Sequence, residues 1–366
     1  MVLGTARRSS PARNVQYPVR SSAGPDALDD RSDAPVAGTL RTSASLYPRG
    51  RRAAAANDKA ARVVENVQNY ATPESEMSQM RYEAPKTLEA AVGLLAAANG
   101  SARLLAGGTD LLVQMRTGRI DPELVIDLKA IPETVAIAAE NGGFRFGAAT
   151  HCMALVEHEA FARTCPGVTD AVKLIGSIQV KGRASVGGNV CNASPAADSV
   201  PALIAAGARA TIVGPNGRRE VAVEEIGVGP GKTSLTKGEI VVSFLLPKRP
   251  PRSGDAYLRF TPRTEMDIAV VSAGVSLTLD KEDFCREARV SLGAVAERAL
   301  LVPAAAAALI GKKIDADALK RLADAASAAC RPIDDKRGTQ AYRIKVAGVL
   351  ARRAAEIALD RARRMN

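Results

Sequence analysis

Two glycine pairs, each lying before a helical pattern, constrain this sequence more than any other feature. The first loop, Ala106-Gly107-Gly108-Thr109-Asp110, follows a short apolar strand and leads into a predicted helix over 110–117. The second, Ser185-Val186-Gly187-Gly188-Asn189, begins 79 residues after the first. Glycine has no Cβ, so such a loop can approach a phosphate closely and present several amide N–H groups to it. One glycine pair alone also suits an ordinary tight turn, but two opposed loops can enclose a pyrophosphate. The pattern therefore predicts a dinucleotide site.

Polar residues follow the second loop at Asn192, Ser194 and Asp198. Asn192 and Ser194 can exchange hydrogen bonds with sugar hydroxyls. Asp198 can accept a hydrogen bond from a ribose hydroxyl, or cap the apolar helix predicted to start beside it. No GxGxxG motif follows a strand, so the pattern is not that of a Rossmann dinucleotide site.

Helical and strand patterns follow one another in a mixed order from residue 81 onward. Thr87 is a candidate helix cap, and Asn141-Gly142 is a candidate hairpin turn. Further helices are predicted over 151–161, 168–175, 200–206, 303–310, 315–329 and 339–364, and strands over 103–106, 124–128, 210–213, 219–223, 239–246, 268–279 and 289–295. This order predicts an α+β architecture. We expect a tail (1–76) followed by a first domain (77–250) and a C-terminal domain (256–364). The boundary between the two domains is expected within 247–255.

The composition is that of a globular protein, with 46% hydrophobic and 24% charged residues among 366. No apolar run approaches the roughly 20 residues that a membrane-spanning helix needs. The net charge of +11 raises the possibility of a nucleic-acid partner, but aromatic residues make up only 3%, so platforms for base stacking are few. We expect neither a nucleic-acid partner nor a membrane span.

The first 76 residues are dominated by Arg, Ser, Ala, Pro and Asp, without a helical or strand period. We expect this segment to be disordered and to be an upstream extension of the reading frame, because the structured pattern begins just after Met77 and Met80. Arg7 and Arg8 are not followed by the apolar region that an export signal requires.

The cysteines and histidines argue against a metal site in this chain. Cysteine occurs at positions 152, 165, 191, 285 and 330, an odd number without a CxxC pair. This distribution excludes a disulfide framework and fits a reducing cytoplasm. The two histidines, His151 and His158, are too few for a three-histidine centre. We expect His151 to start a helix. Cys191 is interpreted as a packed small residue, with a redox thiol as the alternative.

Four motifs together resemble a known family. The segments AGGTDLL (106–112) and SVGGNVCNASPAADSVPAL (185–203) resemble the FAD-binding medium subunit of the molybdenum hydroxylases, the xanthine dehydrogenase and carbon monoxide dehydrogenase group. TPRTEMDIA (261–269) and RGTQAYRIKVAGVLARRA (337–354) are similar to later motifs of that family. The resemblance covers residues 80–364, and the cysteine-rich insertion of some members is absent.

The resemblance implies an FAD-binding fold of the p-cresol methylhydroxylase type, made of two α+β subdomains, followed by a carbon monoxide dehydrogenase flavoprotein-like C-terminal domain. Carried over by motif, the residues that hold FAD are Leu105, Ala106, Gly107, Gly108, Thr109, Asp110, Leu111, Ser185, Val186, Gly187, Gly188, Asn189, Asn192, Ser194, Asp198, Val241 and Arg259. Some members have Lys in place of Arg259. Arg263 and Asp267 match the family's Arg and Asp, or form an ion pair that joins the domains. Flavins are attached covalently to histidine in distant relatives of this fold, which is the alternative role for His151. No catalytic side chain is implied.

The resemblance further implies a role in electron transfer. Electrons would pass from iron–sulfur clusters in a small subunit through FAD to an acceptor such as NAD or a quinone, and substrate would be oxidised on a molybdopterin-binding large subunit. The expected assembly is a heterotrimer or a dimer of heterotrimers. Alternatives are a self-sufficient flavin oxidoreductase of the same fold and a basic scaffold that binds nucleic acid. The helix over 339–364 is expected to place an apolar side inward, which carries Tyr342, Val346, Val349, Ala354 and Ile357. Its opposite, Arg-rich face is expected to be solvated or to dock another subunit.

Overall fold

A small parallel sheet carries the first glycine pair. The protein is described by a computed structural model that covers residues 80–365, so the expectations for the tail over 1–76 lie outside the described residues. Strands β1 (Arg81–Glu83), β2 (Ala102–Leu105) and β3 (Leu124–Asp127) pair in the order β1-β3-β2. Helix α1 (Leu88–Ala97) begins at Thr87, whose Oγ1 accepts a hydrogen bond from the amide of Ala90 at 3.2 Å, as the sequence predicted. Helix α2 (Leu111–Arg116) follows the glycine pair.

An antiparallel sheet forms the centre of the chain between residues 137 and 246. Its strands are β4 (Ile137–Glu140), β5 (Gly143–Gly147), β6 (Arg209–Gly214), β7 (Gly217–Ala222) and β10 (Ile240–Leu246), in the order β4-β5-β10-β6-β7. The predicted hairpin turn at Asn141-Gly142 is confirmed, and both residues have positive φ values of 50° and 80°. Such values are typical of the turn that matches the twist of paired strands. A separate two-stranded ribbon consists of β8 (Gly227–Gly229) and β9 (Lys232–Thr233).

Six short helices lie between β5 and β6, and they differ from the predicted pattern in two places. They are α3 (Cys152–Glu157), α4 (Glu159–Thr164), α5 (Pro166–Lys173), α6 (Ile178–Lys181), α7 (Val186–Cys191) and α8 (Ser199–Ala205). The prediction of a single helix over 151–161 is wrong. His158 adopts an extended backbone, and its Nδ1 caps a new helix by accepting a hydrogen bond from the amide of Phe161 at 3.1 Å. The second glycine pair lies in the first turn of α7 and not in a loop.

The C-terminal part is an antiparallel sheet covered by helices. Strands β11 (Ser253–Phe260), β12 (Val271–Leu279), β13 (Cys285–Gly293) and β14 (Leu300–Leu301) pair in sequence order. Helices α9 (Pro303–Ala307), α10 (Ala316–Ala329) and α11 (Gln340–Arg364) follow, and their buried side chains share one core with the sheet. Strand β11 was not predicted and begins inside the expected boundary region 247–255. The division into domains at that region stays a prediction.

The apolar side of α11 differs from the expected one. Of the five residues expected on it, only Ala354 is buried, and Tyr342 is exposed. The buried side consists largely of small residues: Ala347, Gly348, Ala351, Ala354, Ala355, Ala358 and Ala362. These let the helix lie so close to β11 that a Cβ on Gly254 would overlap the carbonyl oxygen of Ala358. Within residues 80–365, no helix, α11 included, is long and apolar enough to cross a membrane.

Candidate cofactor site

Both glycine pairs line the same cavity, which has a volume of about 380 Å³. This volume lies within the roughly 300–1,000 Å³ typical of small-molecule sites. The rest of the wall is largely apolar, with Leu95, Leu104, Leu128, Ile175, Leu235 and Val241. The polar side chains on the wall come from Arg103, Thr109, Asp110, Gln114, Ser185, Asn189, Cys191 and Asn192. The cavity thus combines an apolar body with two backbone turns that a ligand can approach closely.

The first glycine of each pair holds neighbouring backbone segments together. A Cβ on Gly107 would overlap the carbonyl oxygen of Arg183, and a Cβ on Gly187 would overlap that of Ala148. The amide of Gly187 also donates to the Ala148 carbonyl at 2.9 Å. Because the overlapping atoms belong to the backbone, they cannot move away as a side chain could. These two glycines are required by the packing of the cavity wall itself.

At the second glycine of each pair, an added Cβ would meet side chains and not packed backbone, with Leu105 Cδ1 the nearest atom at Gly108, at 3.0 Å. Gly108 has a φ of +78°, which favours glycine, and it lines the cavity. Gly188 also lines the cavity, and among residues 80–365, apart from the backbone of its own helix, an added Cβ would meet Ser185 Oγ at 3.2 Å. A ligand can therefore approach the backbone at both positions.

The two turns differ in the hydrogen-bond donors that they leave free. Within residues 80–365, the amides of Gly107, Gly108, Thr109 and Asp110 have no hydrogen-bond acceptor. In the second turn the amide of Gly188 donates to Ser185 Oγ at 3.1 Å, and that of Asn189 donates to the Ser185 carbonyl at 3.0 Å. A pyrophosphate fits this arrangement. Its oxygens can accept hydrogen bonds from the free amides of the first turn, and its bulk requires the close approach to the backbone that the second turn permits.

Comparison with known proteins identifies the family. Residues 77–249 match the family described as the FAD binding domain in molybdopterin dehydrogenase, and residues 256–358 match the CO dehydrogenase flavoprotein C-terminal domain. The chain is 33% identical to the carbon monoxide dehydrogenase medium chain of Hydrogenophaga pseudoflava over 284 residues, which cover 77% of this chain and 98% of the relative. This chain is an FAD-binding medium subunit of the molybdenum hydroxylase family.

Other relatives and solved structures agree with this assignment. The xanthine dehydrogenase FAD-binding subunit of Escherichia coli O157:H7 is 35% identical over 217 residues, or 59% of this chain and 74% of the relative. A chain in the structure of the Hydrogenophaga pseudoflava carbon monoxide dehydrogenase superposes with a TM-score of 0.74 at 34% identity, covering 77% of this chain and 98% of that one. A chain of quinoline 2-oxidoreductase from Pseudomonas putida 86 gives 0.71 at 26%, with the same coverage. Like its family, the protein is an FAD-containing oxidoreductase subunit.

Most of the residues that the family motifs indicate lie on the cavity wall. These are Ala106, Gly107, Gly108, Thr109, Asp110, Leu111, Ser185, Gly187, Gly188, Asn189, Asn192 and Val241. Their contact with FAD stays a prediction. Desolvation raises the pKa of Asp110 above its ordinary value.

Three of the remaining predicted residues do not line this cavity. Leu105 ends β2, and its side chain supports the turn, with Cδ1 3.0 Å from the position of a Cβ on Gly108. Val186 is fully buried in the core. Ser194 lines a different, much smaller cavity, and its Oγ accepts from the amide of Ala196 at 3.3 Å.

Asp198 and Arg259 also lie off the cavity wall, where they contact each other. The Arg259 guanidinium donates to Asp198 Oδ2 at 2.6 Å, and the Tyr257 hydroxyl donates to Asp198 Oδ1 at 2.8 Å. Burial raises the pKa of Asp198, and Arg259 and Tyr257 oppose that rise. Burial and the neighbouring Asp198 raise the pKa of Tyr257 well above its ordinary value, so its hydroxyl remains a donor.

Several wall residues were not found from the sequence. Ile175 and Leu235 lie at the end of a helical pattern and in a loop, outside any motif. Ala148 packs against Gly187, and the small residues of Gly-Ala-Ala-Thr over 147–150 were the available signal. Cys191 also lines the cavity, and burial raises the pKa of its thiol to about 12, which supports the packed-residue interpretation.

Two further expectations concern side chains near the motifs. His151 begins α3, and its Nδ1 accepts from the amide of Ala154 at 3.1 Å, which confirms its helix-starting role. Arg263 and Asp267 form an ion pair at 3.4 Å within one loop, so this pair does not join the domains.

Proposed function

We propose that the chain holds FAD in the cavity lined by both glycine pairs and passes electrons from iron–sulfur clusters of a partner subunit to an external acceptor. The observation that carries this proposal is the meeting of the two turns on one wall, with free amides on the first and close approach at the second. Bound FAD would supply the reversible uptake and release of electrons.

The residues of this chain would bind and orient the cofactor. The amides of Gly107, Gly108, Thr109 and Asp110, which have no acceptor within residues 80–365, would donate to the pyrophosphate. The side chains of Asn192 and Gln114 can exchange hydrogen bonds with ribityl or ribose hydroxyls. Leu104, Leu128, Ile175 and Val241 would exclude water from the ring systems of the cofactor.

The partners are proposed from the family. The relatives named medium chain imply further chains in their complexes, and the family name refers to a molybdopterin dehydrogenase. We infer a molybdopterin-binding large subunit and an iron–sulfur small subunit, with NAD or a quinone as acceptor. A reducing cytoplasm is the proposed location, supported by the five cysteines, all of which are free.

A self-sufficient flavin oxidoreductase of the same fold is the alternative. Such an enzyme would need an acid or base that faces the substrate beside the flavin. The titratable side chains among the described residues of the wall are Arg103, Asp110 and Cys191. Asp110 would have to perform that role, so turnover by the isolated chain that is lost in Asp110→Asn would favour this alternative.

The first test is titration of the purified, flavin-free chain with FAD, followed by quenching of flavin fluorescence and by the absorption spectrum. We expect one FAD per chain, and weaker binding of FMN, which lacks the pyrophosphate and the adenosine. A well-folded chain that takes up no FAD, alone or with its co-purified partners, would contradict the proposal.

Reduction of the FAD-loaded chain by NADH, compared with a quinol, tests the acceptor. An affinity-tagged chain isolated from its own host tests for the two partner subunits by mass spectrometry.

A further inference from the structure

A lysine outside the cavity wall holds the start of the first glycine turn. The Lys129 ammonium donates to the carbonyl oxygen of Ala106 at 3.0 Å. Within the part of the chain that the structure describes, no other donor reaches this carbonyl. Ala106 and Gly107 line the cavity, whereas Lys129 does not. The contact therefore connects a residue behind the wall to the peptide unit that begins the turn.

The orientation of this peptide unit determines what the turn presents to a ligand. The carbonyl of Ala106 and the amide of Gly107 belong to one planar trans unit, in which the C=O and N–H bonds point in opposite directions. A carbonyl held by Lys129 directs the Gly107 amide away from Lys129, and that amide has no acceptor within residues 80–365. A unit rotated by half a turn would present the carbonyl oxygen instead, which repels an anion. Because glycine has no Cβ, it permits more backbone orientations than other residues, so an anchor on the carbonyl selects between them.

A buried carboxylate holds the lysine in place. Asp127, the last residue of β3, accepts from Lys129 Nζ at 2.8 Å and 2.9 Å, and from the Lys129 amide at 2.9 Å. The Tyr82 hydroxyl of β1 donates to the same carboxylate at 2.6 Å. The Asp127 side chain is 11% exposed and that of Lys129 is 37% exposed. Desolvation acts to raise the pKa of Asp127, but hydrogen bonds from Lys129 and Tyr82 outweigh it, so the pKa lies below its ordinary value.

The pairing of β2 with β3 brings these groups to the turn. Leu105, the last residue of β2, is the register partner of Asp127, and its carbonyl accepts from the amide of Leu128 at 3.0 Å. Ala106 and Lys129 follow these strand ends along the chain. The contact between them thus lies at the edge where both strands leave the sheet.

We propose that Lys129 is a positioning residue for the pyrophosphate of FAD: by holding the Ala106 carbonyl it keeps the Gly107 amide free to donate to the cofactor, and Asp127 holds Lys129 in place. The proposal rests on the proposed function, since it assumes that the cavity holds FAD. An ammonium group would also attract a pyrophosphate through its charge alone. The test therefore separates the effect of the hydrogen bond on the turn from the effect of the charge.

The test compares FAD affinity in four variants of the full, flavin-free chain. Lys129→Met removes the ammonium and keeps an apolar side chain, and Lys129→Arg keeps both the charge and the donor. Asp127→Asn removes the negative charge that holds Lys129. The control is Lys86→Met, because Lys86 is exposed, lies between β1 and α1 and does not line the cavity. The Kd for FAD is measured by fluorescence quenching at low and high salt, and unfolding by circular dichroism.

We expect Lys129→Met to raise the Kd by about tenfold or more, the effect of losing one hydrogen bond to a charged group. Lys129→Arg should restore most of the affinity, and Lys86→Met should change the Kd by less than about twofold. The ratio between Lys129→Met and wild type should persist from about 0.1 M to about 1 M salt, where the Debye length falls from about 10 Å to about 3 Å, because screening does not restore an anchor. A ratio that falls to about one at high salt, or equal Kd values for Lys129→Met and Lys86→Met, would overturn the proposal.

Asp127→Asn distinguishes the two effects by their sign. If charge alone matters, removal of a negative charge strengthens the binding of an anionic cofactor. If Asp127 acts by holding Lys129, the same substitution weakens binding, and we expect the Kd to rise about three- to tenfold. A Kd equal to or below that of the wild type in the folded variant would overturn the proposal. If Asp127→Asn fails to fold, the salt comparison of Lys129→Met decides. Failure of the wild-type chain to bind FAD would instead contradict the proposed function.

Discussion

Gly188→Ala separates the binding role of the second glycine pair from its role in folding. Gly188 lies in the first turn of α7 and has no positive φ. Outside its own helix backbone, the contact that an added Cβ would make in the described part of the chain is with Ser185 Oγ at 3.2 Å. Alanine is favoured over glycine in helices by up to about 1 kcal/mol, which offsets a small adjustment of the serine side chain. We therefore expect the free energy of unfolding of the flavin-free chain to change by less than about 1 kcal/mol.

The same methyl group should weaken FAD binding strongly. It would occupy space on the cavity wall that we assign to the approach of the pyrophosphate. A displaced pyrophosphate would lose a hydrogen bond from a free amide of the first turn. Loss of one hydrogen bond to a charged group costs about 1.5–3 kcal/mol, which corresponds to a Kd raised about 10- to 150-fold. Fluorescence titration of the flavin-free variant with FAD measures this change directly.

Gly93→Ala is the matched control for this experiment. Gly93 lies in the helix α1 and does not line the cavity. Its added Cβ would meet no atom of residues 80–365 within 4 Å outside its own helix backbone. This variant makes the same chemical change in the same kind of element, and we expect its Kd for FAD to equal that of the wild type. An unchanged Kd in Gly188→Ala, with both variants folded, would refute the placement of the pyrophosphate at the second glycine pair.

Three further predictions follow from packing and charge. Gly107→Ala should lower the free energy of unfolding by about 1–3 kcal/mol, because its Cβ overlaps backbone that cannot yield; unchanged denaturation would contradict this. Hydrogen bonds from Arg219 lower the pKa of Glu239 from 4.5 to about 2, so this pair stabilises the fold above pH 4.5 and less as the pH falls towards 2. Glu239→Gln should cost about 1 kcal/mol at pH 7, and its difference from wild type in unfolding experiments should shrink below pH 4.5. Burial raises the pKa of all five thiols from 9 to about 11 or 12, so Ellman's reagent at pH 8 should react about 100- to 1,000-fold more slowly with the native chain than with the unfolded one.

Local signals in the sequence predicted elements whose ends are set by local chemistry. Thr87 caps α1 with its own hydroxyl, and Asn141-Gly142 forms a hairpin turn because both residues tolerate positive φ. Element boundaries that depend on tertiary contacts were not predictable. Strand β11 has no regular polar alternation, and its first five residues are all buried because α11 covers it.

The buried side of α11 shows why periodicity alone can indicate the wrong face. The larger residues Val346, Val349 and Ile357 suggested an apolar side, but they are only half-buried. Only small side chains fit between α11 and the sheet at this contact, because the backbone of α11 lies against Gly254. The expected Arg-rich solvated face is also interrupted. Arg343 is buried and donates to the Val270 carbonyl and to Asp335, both at 2.6 Å.

The motifs predicted which segments form the candidate site, but not which of their side chains line it. A motif places residues next to each other along the chain, but it does not say which side chains face the cavity. Asn189 and Asp198 belong to one motif, yet Asn189 lies on the cavity wall while Asp198 faces β11. Arg259 belongs to neither glycine motif and is the partner of Asp198. The motif residues therefore include both residues of the cavity wall and residues that face the C-terminal sheet, because successive side chains along a helix turn point in different directions.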